Sequence, residues 1–424
     1  MQLLVYTSNI TPRKEYIFNF IFNQILGVAY SLTNDVEAFL KNDGPKISYT
    51  KSALADEIYF EETDLLSQTG IVKSELSFAK YEDYEVPFVV ASSIFSFDVF
   101  AASFYLISRY EEYLNPVKDE HGRFEGKSSL AYKKGFLQKP VIDEWAFALL
   151  KILQKRFPEL QYKTREFLFT PSLDIDHAYY LKTESSLRKL LKGVKLFLKG
   201  NWKNILKDPF DVYQQVSAWD KEFGTKTIYF ILMGNKHQLD AIQDKNHKEF
   251  KKLIKRISDQ HLLGIHPSYL SNENTEELPL EKVQLEQIIG EKVRISRQHY
   301  LKLDFPHTYQ NLLKNDIRED YTMVYADQPG LRASTCSPFF WYNFEEERMT
   351  NLLIHPTAVM DQTLRRYMAL TPKESIKELK ILIQNVKNVN GTFISLWHNE
   401  SVSDFGVWKG WKKVYVEMLK MSKL

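Results

Sequence analysis

The chain has 424 residues, 44% of them hydrophobic and 26% charged, enough for two domains or one large α/β domain with additions. Its net charge of +2 lacks the basic bias of a dedicated nucleic-acid binder, so no nucleic-acid partner is expected. The single cysteine, Cys336, excludes an intrachain disulfide and a cysteine-based zinc cage.

The first residues, MQLLVYTSNITPRKEY, carry no signal-peptide pattern, and no stretch approaches about 18 uncharged apolar residues. The expected location is the cytoplasm. Residues 2–7 read as a strand. Thr11-Pro12 then opens a helix with apolar residues at Ile17, Phe18, Ile21, Phe22 and Ile25, and Gly27 ends it. Short apolar runs follow, as in a small α/β layer, and residues 94–114 predict an apolar helix closing on Arg109-Tyr-Glu-Glu112.

Asn115 to Pro140, rich in Lys, Gly, Asp and Ser, is the expected boundary region. Its FEGKSS stretch is not a phosphate-binding loop, because the glycine that motif needs is His121. This divides the chain into an α/β domain over 1–130, a linker and connecting helix over 131–160, and a larger domain over 161–424. Residues 141–157 are amphipathic and read as a helix packed across both parts.

From residue 165 strands and helices alternate. Strands are predicted at 167–173, 227–233, 262–266, 293–296, 321–325 and 392–396, and helices at 236–259, 275–289, 307–316 and 372–388. Such repeated β-α units predict a parallel sheet or a (β/α) barrel, with the chemistry at the C-terminal strand ends. One segment stands apart: 185–207 has seven basic residues and no acidic one, with apolar residues at helical spacing. It reads as a solvated helix with its lysines outward, or as a basic amphipathic helix in peripheral contact with an anionic membrane surface.

The strand ends carry the chemistry-bearing residues. Asp174 and Asp176 stand two apart in SLDIDHAY, so they share one side of a strand; alone, they read equally well as a turn acid and a helix N-cap. His266 ends the third run, Arg297 and His299 follow the fourth, Asp327 the fifth, and His398 closes the last. On neighbouring strands of one barrel these groups converge on one mouth.

The ordered set SLDID, GIHPSY, SRQHY, the Asp327 segment and SLWH resembles the polysaccharide deacetylase family (carbohydrate esterase family 4, NodB homology domain). The resemblance spans 165–424. It implies a distorted or incomplete (β/α) barrel behind the smaller α/β domain. It also implies a metal-dependent hydrolase that removes an acetyl group from an N- or O-acetylated sugar or glycan. By the same resemblance Asp174 is the general base, His398 the general acid and Arg297 the partner that holds Asp174 ionised. Asp176 and His266 are metal ligands, and the divalent metal is expected to be zinc. The family's second histidine is absent, Leu270 standing in its place. His299 is therefore expected as the third ligand, with His177 as the alternative. Tyr300, Asp327, Arg332 and Trp397 are expected to touch substrate. NLLIHP offers His355 as a rival to His398, but His398 closes a glycine-started strand near the C-terminus and is preferred. Rival functions are a catalytically decayed barrel that binds glycans or acts as a scaffold, and hydrolysis of another C–N bond.

Overall fold

The computed structural model describes residues 2–114, 116–184, 186–198, 207–240 and 243–423. Asn115, the first residue of the expected boundary region, lies outside them, as do 199–206 of the basic segment.

The N-terminal part is built on a parallel four-stranded sheet, ordered β2-β1-β3-β4, from β1 (Leu3–Thr7), β2 (Tyr30–Thr33), β3 (Lys46–Thr50) and β4 (Ile58–Glu61). Thr11 caps the helix Pro12–Phe18, which runs on as a π-helical turn to Ile25. The predicted helix over 94–114 is shorter, Val99–Ile107. Asp98 sets its start by accepting hydrogen bonds from the Phe100 and Ala101 amides. Arg109, at φ +57°, breaks the helix before the charged cluster. A hairpin of β5 (Phe78–Tyr81) and β6 (Tyr84–Pro87) precedes that helix, and the helix Val141–Arg156 follows it. That helix is tied forward by buried Asp143, which accepts from Thr335, Ser337, the Cys336 amide and Arg165.

The second sheet has nine strands in the order β12-β13-β11-β10-β9-β8-β7-β15-β14. They are β7 (Leu168–Ile175), β8 (Ile228–Leu232), β9 (Leu263–His266), β10 (Ile295–Ser296), β11 (Glu319–Asp320), β12 (Phe339–Asn343), β13 (Arg348–Ile354), β14 (Val359–Met360) and β15 (Thr392–His398). All pairs are parallel except the β12–β13 hairpin. The sheet curls on itself. Ile228 and Phe230 of β8, Ile295 of β10, Tyr321 and Ile394 of β15 meet in one interior cluster, which a flat sheet would hold apart. The result is an open, distorted (β/α) barrel with helices on its outer side.

Three expectations are corrected. The strand expected at 321–325 is displaced to Glu319–Asp320, because the Asp320 carboxylate binds Ser296 and both the amide and hydroxyl of Thr322 and turns the chain there. The helix expected from 236 begins at Lys248, where the His247 ring accepts from the Glu249 amide. The strands β12, β13 and β14 lie between the expected elements and were not foreseen.

A single apolar core runs from the first sheet through Trp145 to the barrel. Across it Tyr16 donates to the Phe340 carbonyl, and Glu112 sits between Arg109 and Arg332.

Candidate active site

β7 delivers Asp174, and Asp176 follows one residue past its end; β15 pairs with β7 in register, His398 opposite Asp174. β9 ends in His266, and the turn after β10 carries Arg297 and His299. That turn is pinned by amide bonds from Arg297 to the Ile265 carbonyl and from His299 to the Pro267 carbonyl. All these residues except Arg297 line one cavity of about 620 Å³ at the C-terminal ends of the strands.

Arg297 crosses the barrel interior. Its guanidinium lies 4.3 Å from the centroid of the Phe230 ring, and it donates to Tyr321 O and, at 2.8 Å, to Asp174 Oδ1. The pair is buried, so Asp174 is held by one oxygen while its other, Oδ2, lies 3.6 Å from His266 Nε2.

Asp176, His266 and His299 offer three donor atoms within 4.8 Å of one another. Asp176 Oδ1 lies 3.4 Å from His266 Nε2 and Oδ2 lies 3.6 Å from His299 Nε2. Each ring is fixed from behind. His266 Nδ1 meets the Arg297 carbonyl at 2.6 Å, which can only accept, so Nδ1 carries a proton and Nε2 is the ring nitrogen turned to the cavity. His299 Nδ1 meets Asp240 Oδ1 at 2.9 Å, and the Tyr269 amide donates to the same oxygen. Asp176 Oδ1 is buried with no hydrogen-bond partner. An orphaned carboxylate oxygen facing two rings backed by a carbonyl and a carboxylate is a donor set that could hold a divalent cation. Burial opposes charge on Asp176, yet the nearby His299, His266 and His398 rings hold its carboxyl well below the usual range. Burial also opposes a charge on His299, but Asp176 and Asp240 lift it to about 9.

His398 faces this group from the other side, its Nε2 3.8 Å from Asp176 Oδ2. Asp361, at the end of β14, grips it twice, through His398 Nδ1 and the His398 amide, each at 2.8 Å. Burial works against protonation here, and the Asp361 carboxylate outweighs it, raising His398 to about 10.

The remaining expected residues divide. Tyr300 lines the cavity, at φ +60°, and Leu301 follows at +55°, so two successive non-glycine residues occupy the left-handed region beside the site. Arg332, Asp327 and Trp397 do not line it. Arg332 is buried in a two-pronged pair with Glu112, Asp327 accepts the Gly126 and Lys127 amides, and Trp397 packs against Tyr415 and Trp411. His177 sits at the rim, paired with Glu400, and takes no part in the Asp176 group. His355 stacks on Tyr321 and pairs with Glu319, away from the cavity.

Sequence reasoning missed Asp240, Asp361 and Arg123. Asp361 follows a two-residue strand and Asp240 stands in a loop, so neither position had a pattern to reveal it. Arg123 comes from the expected boundary region, which folds over the mouth. Its guanidinium donates to the Tyr300 carbonyl and the Tyr367 hydroxyl, each at 3.0 Å, and is balanced by Asp119.

Residues 3–158 match the model of a family of unknown function, DUF7033. No curated protein matches the chain. Among solved structures, the chain is similar to a Mycobacterium smegmatis protein described provisionally as a polysaccharide deacetylase, at 14% identity and TM-score 0.39, over 61% of this chain and 86% of that one. It is also similar to an allantoinase, at 10% identity and TM-score 0.38, over 60% and 85% of the two chains. A polysaccharide deacetylase from Bacillus cereus is 14% identical, with TM-score 0.28 and coverage of 61% and 86%.

Proposed function

We propose that the protein is a divergent hydrolase of the polysaccharide deacetylase type that removes acetyl groups from N-acetylated, or O-acetylated, sugars. The observation that carries this reading is one cavity holding a three-donor group, Asp176, His266 and His299, with Asp174 and His398 beside it. Those three residues would hold a divalent metal, zinc by its ligand chemistry. Bound there, such an ion would polarise a carbonyl and lower the pKa of a bound water to about 7.

The chain's own residues divide the proton work. Arg297 occupies Asp174 Oδ1, leaving Oδ2 to take a proton from the attacking water as its oxygen bonds to the acetyl carbon. His398, protonated and held by Asp361, gives its Nε2 proton to the sugar nitrogen as the C–N bond breaks. Acetate and the free amine leave. In the O-acetyl case the same proton goes to the sugar oxygen. A cytoplasmic setting is part of this reading; among the described residues no helix is long and apolar enough to cross a membrane.

The test is acetate release by purified, zinc-supplemented protein from N-acetylglucosamine oligomers and O-acetylated sugars. Asp174→Asn is expected to lower the rate at least about 10²-fold. Undiminished activity in that variant, or none from the parent protein on either substrate class, sinks the assignment.

A further inference from the structure

The helix Ser186–Leu198, at the rim of the cavity, is seated inside out. Its one buried side chain is Leu196. Leu187, Leu190, Leu191, Val194, Phe197 and Leu198 are all exposed, from 49% to 79%. At about 3.6 residues per turn these six fall in one arc roughly 120° wide, centred nearly opposite Leu196. An amphipathic helix on a water-facing surface does the reverse and turns its apolar stripe to the core. A solvated helix with its lysines outward therefore does not describe this segment.

The helix also carries Arg188, Lys189, Lys192 and Lys195 and no acidic residue. Lys192 pairs with Glu184; the other three make no ion pair among the described residues. Arg188 and Lys195 stand together along one border of the apolar arc. Arg188 and Lys192 line the cavity together with Arg123 and Arg366, so the basic side of the helix borders the mouth.

We propose that this helix is a membrane-surface anchor that seats the cavity mouth on an anionic bilayer. An apolar stripe with basic residues along its border is the chemistry of a helix lying in the headgroup region, its apolar face in the acyl boundary. Charge selects this occupant over a second copy of the chain, since pairing two such helices brings like-charged borders together. The inference rests on surface chemistry and not on the proposed reaction, so binding is tested without any assay of catalysis.

The experiment is co-sedimentation of the full chain with phosphatidylcholine vesicles, with and without phosphatidylglycerol, alongside sedimentation velocity of the protein alone. The full chain is expected to bind the mixed vesicles and to bind pure phosphatidylcholine more weakly. The Leu190→Glu/Phe197→Glu variant is expected to lose at least about ten-fold in partitioning. Lys189→Glu/Lys195→Glu should lose roughly five-fold per residue, and the loss should shrink in high salt. Neither pair is buried, so both variants keep the parent's melting temperature. Absence of binding to mixed vesicles overturns the proposal. So does binding that both variants retain. A dimer abolished by Leu190→Glu/Phe197→Glu, with no vesicle binding, assigns the face to self-association instead.

Discussion

Asp240 and Asp361 belong to no motif that the sequence displays, yet each decides what an imidazole in the cavity can do. Asp361 fixes His398 by both its ring and its amide, and its charge keeps the buried ring protonated. The sign of the effect follows. A raised value means that the acid form is present at neutral pH and is lost as pH rises through about 10. Removing the Asp361 charge leaves burial, which pulls the other way, opposed only by the lesser effects of Asp176 and Asp174. Asp361→Asn is therefore expected to move the basic limb of the kcat/KM profile to lower pH and to cut kcat roughly 10²-fold. A limb that stays in place confines Asp361 to packing. The third donor of the Asp176 group is a similar case. His299 stands where a turn pinned to β9 aims it at Asp176, doing from the next strand what Leu270 cannot.

The elements that shape the mouth come from both ends of the chain. The segment 116–129 lies on the barrel because Gly126 lets its backbone reach Asp327. A Cβ at Gly126 would sit 2.9 Å from Gln328 Cβ and 3.1 Å from the Tyr325 ring. Arg123 in the same segment braces the left-handed turn at Tyr300. Arg123→Ala removes charge-assisted bonds and leaves Asp119 unpaired, so it is expected to cost about 2 kcal/mol in urea unfolding. Because Tyr300 lines the cavity, KM should rise several-fold while kcat changes little. A variant with unchanged KM would separate the segment from the site. As sequence, this stretch resembles a boundary, since its polar, glycine-bearing composition carries no information about what it covers. The strand expected at 321–325 moved for a related reason. Its apolar character reflects the barrel interior, where Tyr321, Val324 and Tyr325 are buried without forming a ladder.

At the scale of the molecule, the N-terminal layer and the barrel are clamped by buried charge. Glu112 is held between Arg332 at 2.5 Å and Arg109 at 2.9 Å, all three nearly inaccessible. Burial opposes ionisation of Glu112, but the two guanidinium groups overcome it and hold its carboxyl below the ordinary 4.5. A depressed value contributes stability that is fully present above pH 4.5 and is lost as pH falls through the folded value. Glu112→Gln leaves buried Arg332 uncompensated and Arg109 with Glu111 alone, with an expected cost of about 3–5 kcal/mol. It should also flatten the acid limb of stability, read from urea midpoints between neutral and acidic pH. An acid limb as steep as the parent's would remove Glu112 from this role.

What the sequence determined by itself was local and ordered. Alternating apolar strands and amphipathic helices specify the β-α rhythm. The period of two in a strand puts Asp174 and Asp176 on one side, and strand-end positions mark His266, Arg297, His299 and His398 as a set. The curl of the sheet turned that list into a cavity, because side chains far apart in sequence become neighbours only when the strands close round an interior. Tertiary structure alone chose His299 over His177 for the Asp176 group and placed Asp361 behind His398. It also withdrew Arg332, Asp327 and Trp397 into buried pairs and packing. The physical reason is the same in each case. A side chain's type limits what it can bond, but its partner is set by which backbone passes within about 3 Å of it.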